Sequence, residues 1–354
     1  MRTTVTLLAA YQAHGLPVLV GDALCTSTIS RSLRKKVYFI GPNLVVGWTG
    51  YLITARTVIF ELSARFWGKR VTTAELESAL CNLSFPGMAD FDVKIVGWII
   101  DDQPRAFIWQ SSYPKEVFYN AYYFEGSGEQ YFESVLKSHI VTGGDPPRTP
   151  HKFSNEIAAV QETLVSCGEA FFSEILASDK WQETFGFAYE VLVYAYERFW
   201  PLGPTVYVGW QYRWNAAMQT GEAVLSPFIA KMNFRQHYSI LQMASHNNLR
   251  IEKCRNYPIR PVYDCDIKED LSKLRFNIDA DHYVHYFVTN PPVNGQLLRV
   301  SYVCGRSQPG DKVTLTFNDG LPCFDVNTTA FDEMFRQGFE AAKTTDTSGA
   351  KGSL

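Results

Sequence analysis

Residues 36–50, KVYFIGPNLVVGWTG, read as two β-strands, 37–40 and 44–48, folded about the turn Gly41-Pro42-Asn43 and closed by a glycine. Before them lie two more apolar, β-branched runs, 3–10 and 16–21, joined by a hairpin at 12–15. Directly after residue 50 the period changes. Ala55, Val58, Ile59, Leu62 and Phe66 fall on one helical face that ends near Gly68, and a second helix is predicted from a cap at Thr72 or Thr73 with Glu75 in its first turn. Strands return at 92–99, 105–110 and 117–124; a long helical section at 153–199, broken near 178–180, precedes a strand at 205–211. Strands, two helices, strands, two helices, strand: such segregated blocks predict an α+β domain rather than a parallel βαβ repeat, and they suit a four-layer αββα sandwich.

Past residue 225 the pattern weakens to strand-like runs at 282–289, 297–304 and 312–317 and a terminal helix at 329–342. The expected organisation is therefore a first domain over 1–225, an irregular β-rich extension over 226–342 and a disordered, small and polar tail over 343–354. With 354 residues, 46% hydrophobic, the chain can bury a large core. A formal charge of −3 gives no global field for nucleic acid or an anionic membrane. Seven scattered cysteines without a CxxC pair fit reduced thiols in a cytoplasm. No run reaches the roughly 18 to 20 apolar residues of a membrane helix, so a non-secreted, cytoplasmic protein is expected.

Four elements stand in order along the first domain: the pair Thr3-Thr4 opening the first strand; Gly21-Asp22 closing the second; the block 36–50, from Lys36 to Gly50; and Gly126-Ser127-Gly128 at a strand end before QYFESVL. Together they resemble the proteasome-type (proteasome beta-subunit-like) N-terminal nucleophile hydrolases over about residues 1–225. The resemblance implies a threonine-type protease or amidohydrolase acting on a peptide or amide substrate, without metal or cofactor. It also implies a homo-oligomer, as a ring or double ring. It leaves open whether an unfoldase partner feeds the assembly. Thr3 would be the nucleophile once its α-amine is free, Lys36 would tune that amine, and Asp22 would pair with Lys36. Gly50 would donate its N–H to the oxyanion, and Ser127 would support proton relay.

The chemistry requires these types. A threonine hydroxyl needs a base within hydrogen-bond reach. An α-amine, with an ordinary pKa of about 7.7–8.0, serves better when a neighbouring cation disfavours its protonated form. Glycine lets a substrate carbonyl approach the backbone without meeting a Cβ. Each element also has a plainer reading: Asp22 as a turn cap, Lys36 as one of several solvated cations, Ser127 as a helix N-cap, and Gly50 as a turn residue needing positive φ.

The alternative is a catalytically inactive scaffold or binding subunit that retains Met1 and Arg2. Two features point that way. Arg2 makes simple methionine trimming insufficient, so the Arg2–Thr3 bond must be cleaved, and Phe199 stands where the family carries an aspartate in an RDxxSGG-like loop ahead of a strand. Other constellations are weaker. His282 and His285 with Asp279 and Asp281 lie in a strand-like run that points i and i+3 to opposite faces. The basic stretch 31–36 reads as a solvated hairpin, and Cys25 as a small buried residue. The clusters Tyr119, Tyr122, Tyr123 and Trp200, Tyr207, Trp210, Tyr212 read as core and interface.

Overall fold

Leu8–Ala13 (β1) turns into Leu16–Asp22 (β2) through His14 and Gly15, both at positive φ (48° and 76°), the backbone a two-residue hairpin needs to follow the strands' twist. In this computed structural model the described residues are 7–22, 24–26, 31–33, 35–83, 92–126, 129, 133, 163, 189–201, 205–215, 217–218, 220–223, 228–234, 238–245, 248–255, 283–289, 299–304, 313–318, 321–327, 329, 332–333 and 336. A short hairpin, Leu24–Thr26 (β3) with Arg31–Leu33 (β4), precedes Val37–Gly41 (β5) and Leu44–Gly50 (β6). Helices Leu52–Phe66 (α1) and Thr73–Cys81 (α2) follow, then Val93–Ile100 (β7), Pro104–Gln110 (β8), Val117–Asn120 (β9) and Tyr123–Glu125 (β10). Tyr189–Ala195 (β11) and Arg198–Pro201 (β12) complete this part.

These strands form two five-stranded antiparallel sheets, ordered β10-β1-β2-β11-β12 and β5-β6-β7-β8-β9. Leu8, Ala10 and Leu19 of the first meet Val45, Val96 and Trp98 of the second in one buried cluster, so the sheets pack face to face. The Trp98 indole crosses between them, donating to Val18 O at 2.9 Å. On the other face of the second sheet, Ala55, Val58, Ile59 and Leu62 of α1 pack against Val46 and Ile95, the helical stripe read from the sequence. Gly68, at φ +71°, follows the end of α1. Thr72 and Glu75 form a reciprocal capping box at α2.

The turn between β5 and β6 is held by buried Asn43. Its side-chain amide donates to Val71 O and Ile100 O, both at 2.8 Å, and its Oδ1 accepts from Val71 N at 2.9 Å. Asn43→Ala strands three buried backbone groups at about 1–3 kcal/mol each, so a loss of roughly 3 kcal/mol or more is expected in urea unfolding.

The expected four-layer αββα sandwich is corrected. Among the described residues the chain is mostly antiparallel strand: two stacked five-stranded sheets, with the helices α1 and α2 packed on the second of them. The helical section expected over 153–199 fails at its end, because residues 189–201 form the hairpin β11–β12 and β11 pairs with β2. Its turn, Tyr196-Glu197, takes two positive-φ residues (51° and 61°) without a glycine. Of residues 153–188 only Thr163 is described; it is helical, and its Oγ1 accepts from the Tyr11 hydroxyl at 2.8 Å. The single strand expected over 117–124 is also two: β9 pairs with β8 in one sheet and β10 with β1 in the other.

The chain divides into two compact units. The first takes residues 1–203 with Asn233–Leu241 and Glu252–Asp270; the second takes the remainder. The later strands are Thr205–Asn215 (β13), Thr220–Ala223 (β14), Phe228–Phe234 (β15), Tyr238–Ser245 (β16), Asn248–Arg255 (β17), Tyr283–Thr289 (β18), Arg299–Cys304 (β19), Val313–Asn318 (β20) and Leu321–Val326 (β21). In the second unit β13 pairs antiparallel with β14 and β15 and parallel with β18, which pairs with β19; β20 and β21 form a separate hairpin. Residues 343–354 lie outside the described residues.

Candidate active site

Asp22 ends β2 directly opposite Leu7, the residue before β1. The two main chains pair there, Asp22 N donating to Leu7 O at 3.0 Å, and Leu7 N donates in turn to the carboxylate Oδ1 at 2.8 Å. Lys36, just ahead of β5, brings its Nζ to the same Oδ1 at 2.7 Å. Both side chains are buried, at 1% and 0% relative exposure. Moving two opposite charges out of water costs several kcal/mol per ion before their attraction offsets it, so this pair is an expensive feature to hold in a core. The plainer reading of Lys36 as a solvated cation is overturned by its burial. So is that of a wholly solvated basic stretch: Arg31–Leu33 does form a hairpin strand, but Lys35 is also largely buried.

Gly50 closes β6, the neighbour of β5. Trp48 N donates to Lys36 O at 3.2 Å, so Lys36 and Gly50 stand near the same end of adjacent strands. Gly50 has φ +107°, and a Cβ there would lie 2.4 Å from Asp92 O. The next residue shows why: Tyr51 N donates to that same carbonyl at 2.9 Å as the chain turns into α1. Only glycine satisfies both conditions.

Thus Asp22, Lys36 and Gly50 are gathered at one end of the two stacked sheets. Thr3 and Ser127 lie outside the described residues; Gly126, at φ +99°, follows β10. Thr3 precedes Leu7 by four residues, at most about 14 Å of extended chain. Phe199 is not in a loop ahead of a strand. It is buried in β12, with its ring 5.0 Å from that of Tyr194, and belongs to the core between the sheets.

Two further ion pairs at this end were not read from the sequence. Lys35 pairs with Glu190 of β11, and Lys94 of β7 pairs with Glu125 of β10 at 2.7 Å. A lone carboxylate within the apolar run YEVLVYA was the available signal for Glu190, since acids are rarely buried unpaired. Near Glu125, Glu129 has its carboxyl pushed above the usual range, first by burial and then by the Glu125 charge.

Among the described residues no group of three or more His, Cys, Asp or Glu could hold a metal ion, and no helix is long and apolar enough to cross a membrane. Asp279, Asp281 and His282 lie outside the described residues. No family model and no curated protein matches this chain.

Proposed function

We propose that the protein is a threonine-type N-terminal nucleophile hydrolase of the proteasome-like class, cleaving a peptide or amide bond. The observation that carries this reading is the buried Lys36–Asp22 pair, whose carboxylate also accepts the main-chain N–H of Leu7, close along the chain to Thr3. A purely structural salt bridge is dispensable in such a core, where apolar residues of similar volume serve as well or better.

In the proposed reaction the Arg2–Thr3 bond is first hydrolysed, freeing the Thr3 amine. That amine takes the Thr3 hydroxyl proton as the oxygen attacks the substrate carbonyl carbon. Gly50 N–H donates to the resulting oxyanion, and the ammonium returns the proton to the leaving nitrogen as the C–N bond breaks. Water then hydrolyses the Thr3 ester. Lys36 supplies a fixed positive charge that disfavours protonation of the amine, Asp22 holds Lys36 in place, and Ser127 supports the proton relay. A cytoplasmic homo-oligomer is part of the proposal, resting on cysteine usage and on the resemblance.

Phe199 occupies a hairpin strand, and the sequence carries no RDxxSGG pattern elsewhere, so the absence of that second carboxylate favours the inactive scaffold as the alternative reading. Intact mass with N-terminal sequencing tests the reading: a chain beginning at Thr3 is expected, and one that keeps Met1 and Arg2 contradicts it.

A further inference from the structure

Lys36 is preceded by a second lysine whose side chain is largely buried and which is held at both its ammonium and its carbonyl. The Lys35 ammonium pairs with Glu190 and lies 5.5 Å from the centre of the Tyr38 ring. Its carbonyl accepts from the Tyr38 hydroxyl at 3.1 Å and from the Trp48 indole Nε1 at 3.2 Å. Trp48 also donates its main-chain N–H to Lys36 O at 3.2 Å. One residue therefore grips the Lys35-Lys36 backbone twice. Glu190 in turn stands opposite Gly21, beside Asp22, while Tyr189 stands opposite Asp22 itself. A Cβ on Gly21 would lie 2.6 Å from Val37 Cγ2 and 3.7 Å from Lys36 Cβ, so the two sheets close tightly over this pair of lysines.

We propose that Glu190, Lys35 and Trp48 are positioning residues for the Lys36–Asp22 centre. Glu190 anchors Lys35 and cancels its charge, and Trp48 fixes the backbone from which Lys36 projects. The inference rests on the hydrolase reading above. A structural staple alone would need the attraction of Lys35 to Glu190 but no control of charge beside Lys36. The geometry here supplies both, because two cations on adjacent residues are each given a carboxylate from adjacent strands, β2 and β11.

Among the described residues Lys35 pairs with Glu190 of β11 and lies over the Tyr38 ring, while Lys36 pairs with Asp22 of β2; Lys94 and Glu125 form a mutually neutral pair on β7 and β10. Replacing Glu190 by Gln removes the negative charge paired with the Lys35 ammonium. The added positive potential disfavours the protonated form of the Thr3 amine, so the free base persists to lower pH. The acidic limb of the reaction with an electrophile then moves down by roughly half to one pH unit. Misplacement of Lys36 also slows the reaction.

The experiment measures labelling rate against pH for the full chain, using a peptide epoxyketone that bonds both the hydroxyl and the α-amine of an N-terminal threonine. Glu190→Gln is expected to label at least tenfold more slowly at its optimum, with its acidic limb displaced downward. Lys35→Met combined with Glu190→Gln removes both charges and is expected to return the limb to its wild-type position. A wild type that labels while Glu190→Gln keeps the same limb and a rate within twofold overturns this inference and leaves the hydrolase reading standing. A wild type that does not label overturns the hydrolase reading, and the inference with it. Should Glu190→Gln fail to fold, Trp48→Phe keeps an aromatic side chain but deletes the Nε1–H donor to Lys35 together with part of the buried indole, and urea unfolding measured beside labelling reports the packing loss separately. At least threefold slower labelling by that variant supports the positioning role, and an unchanged rate contradicts it.

Discussion

Thr3→Ala is expected to abolish epoxyketone labelling and amide hydrolysis, with a fall on the order of 10³-fold or more, while leaving thermal unfolding unchanged. The magnitude follows from removing a nucleophile that acts as a unit with its base, where losing one member costs most of the covalent pathway. Stability should not move, because Thr3 precedes β1 and the Leu7–Asp22 pairing does not use its side chain. Thr3→Ser keeps a hydroxyl and an amine and should retain measurable labelling. Mass spectrometry of the variants checks a second consequence: if the Arg2–Thr3 bond is opened by the Thr3 hydroxyl, Thr3→Ala keeps Met1 and Arg2 and Thr3→Ser loses them.

Lys36→Met is expected to do two separable things. It breaks the buried pair with the Asp22 carboxylate, and removing one partner of a buried ion pair costs about 3–5 kcal/mol. It also removes the positive charge that keeps the neighbouring amine free, so labelling is lost. Adding Asp22→Asn to Lys36→Met replaces the pair by neutral groups and should restore most of the stability, as replacement of both partners of a buried ion pair commonly does. Labelling should remain absent in the double variant. Urea unfolding measured beside labelling separates the two effects. A double variant that recovers both stability and labelling would make Lys36 a structural residue only.

The contrast between these variants mirrors what could be read from the sequence. The hairpin at 12–15, the strands of 36–50, the α1 stripe and the Thr72–Glu75 cap all carry local signals: a turn residue at positive φ, a change of period, a reciprocal side-chain cap. The pairing of Lys36 with Asp22 was an implication of the resemblance and not of any local pattern, and the burial of the pair was not read from the sequence. The run 189–199 was misread because apolar and aromatic residues crowd it at mixed spacing, and its turn at Tyr196-Glu197 lacks the Gly or Asn that marks a tight hairpin. Residues 117–124 hid a break between two sheets, since which sheet a strand joins is decided by packing and not by its own alternation. Glu190 gained its partner from a sheet pairing between β11 and β2 far apart in sequence, a contact invisible to local pattern.

Tandem mass spectrometry of the epoxyketone-treated wild-type protein tests the central claim most directly, because it locates the adduct atom by atom. The account predicts one adduct, on a peptide beginning at Thr3 and bridging its nitrogen and hydroxyl oxygen. An adduct on any other side chain, or a quantitative N-terminal peptide that still begins at Met1, would contradict it.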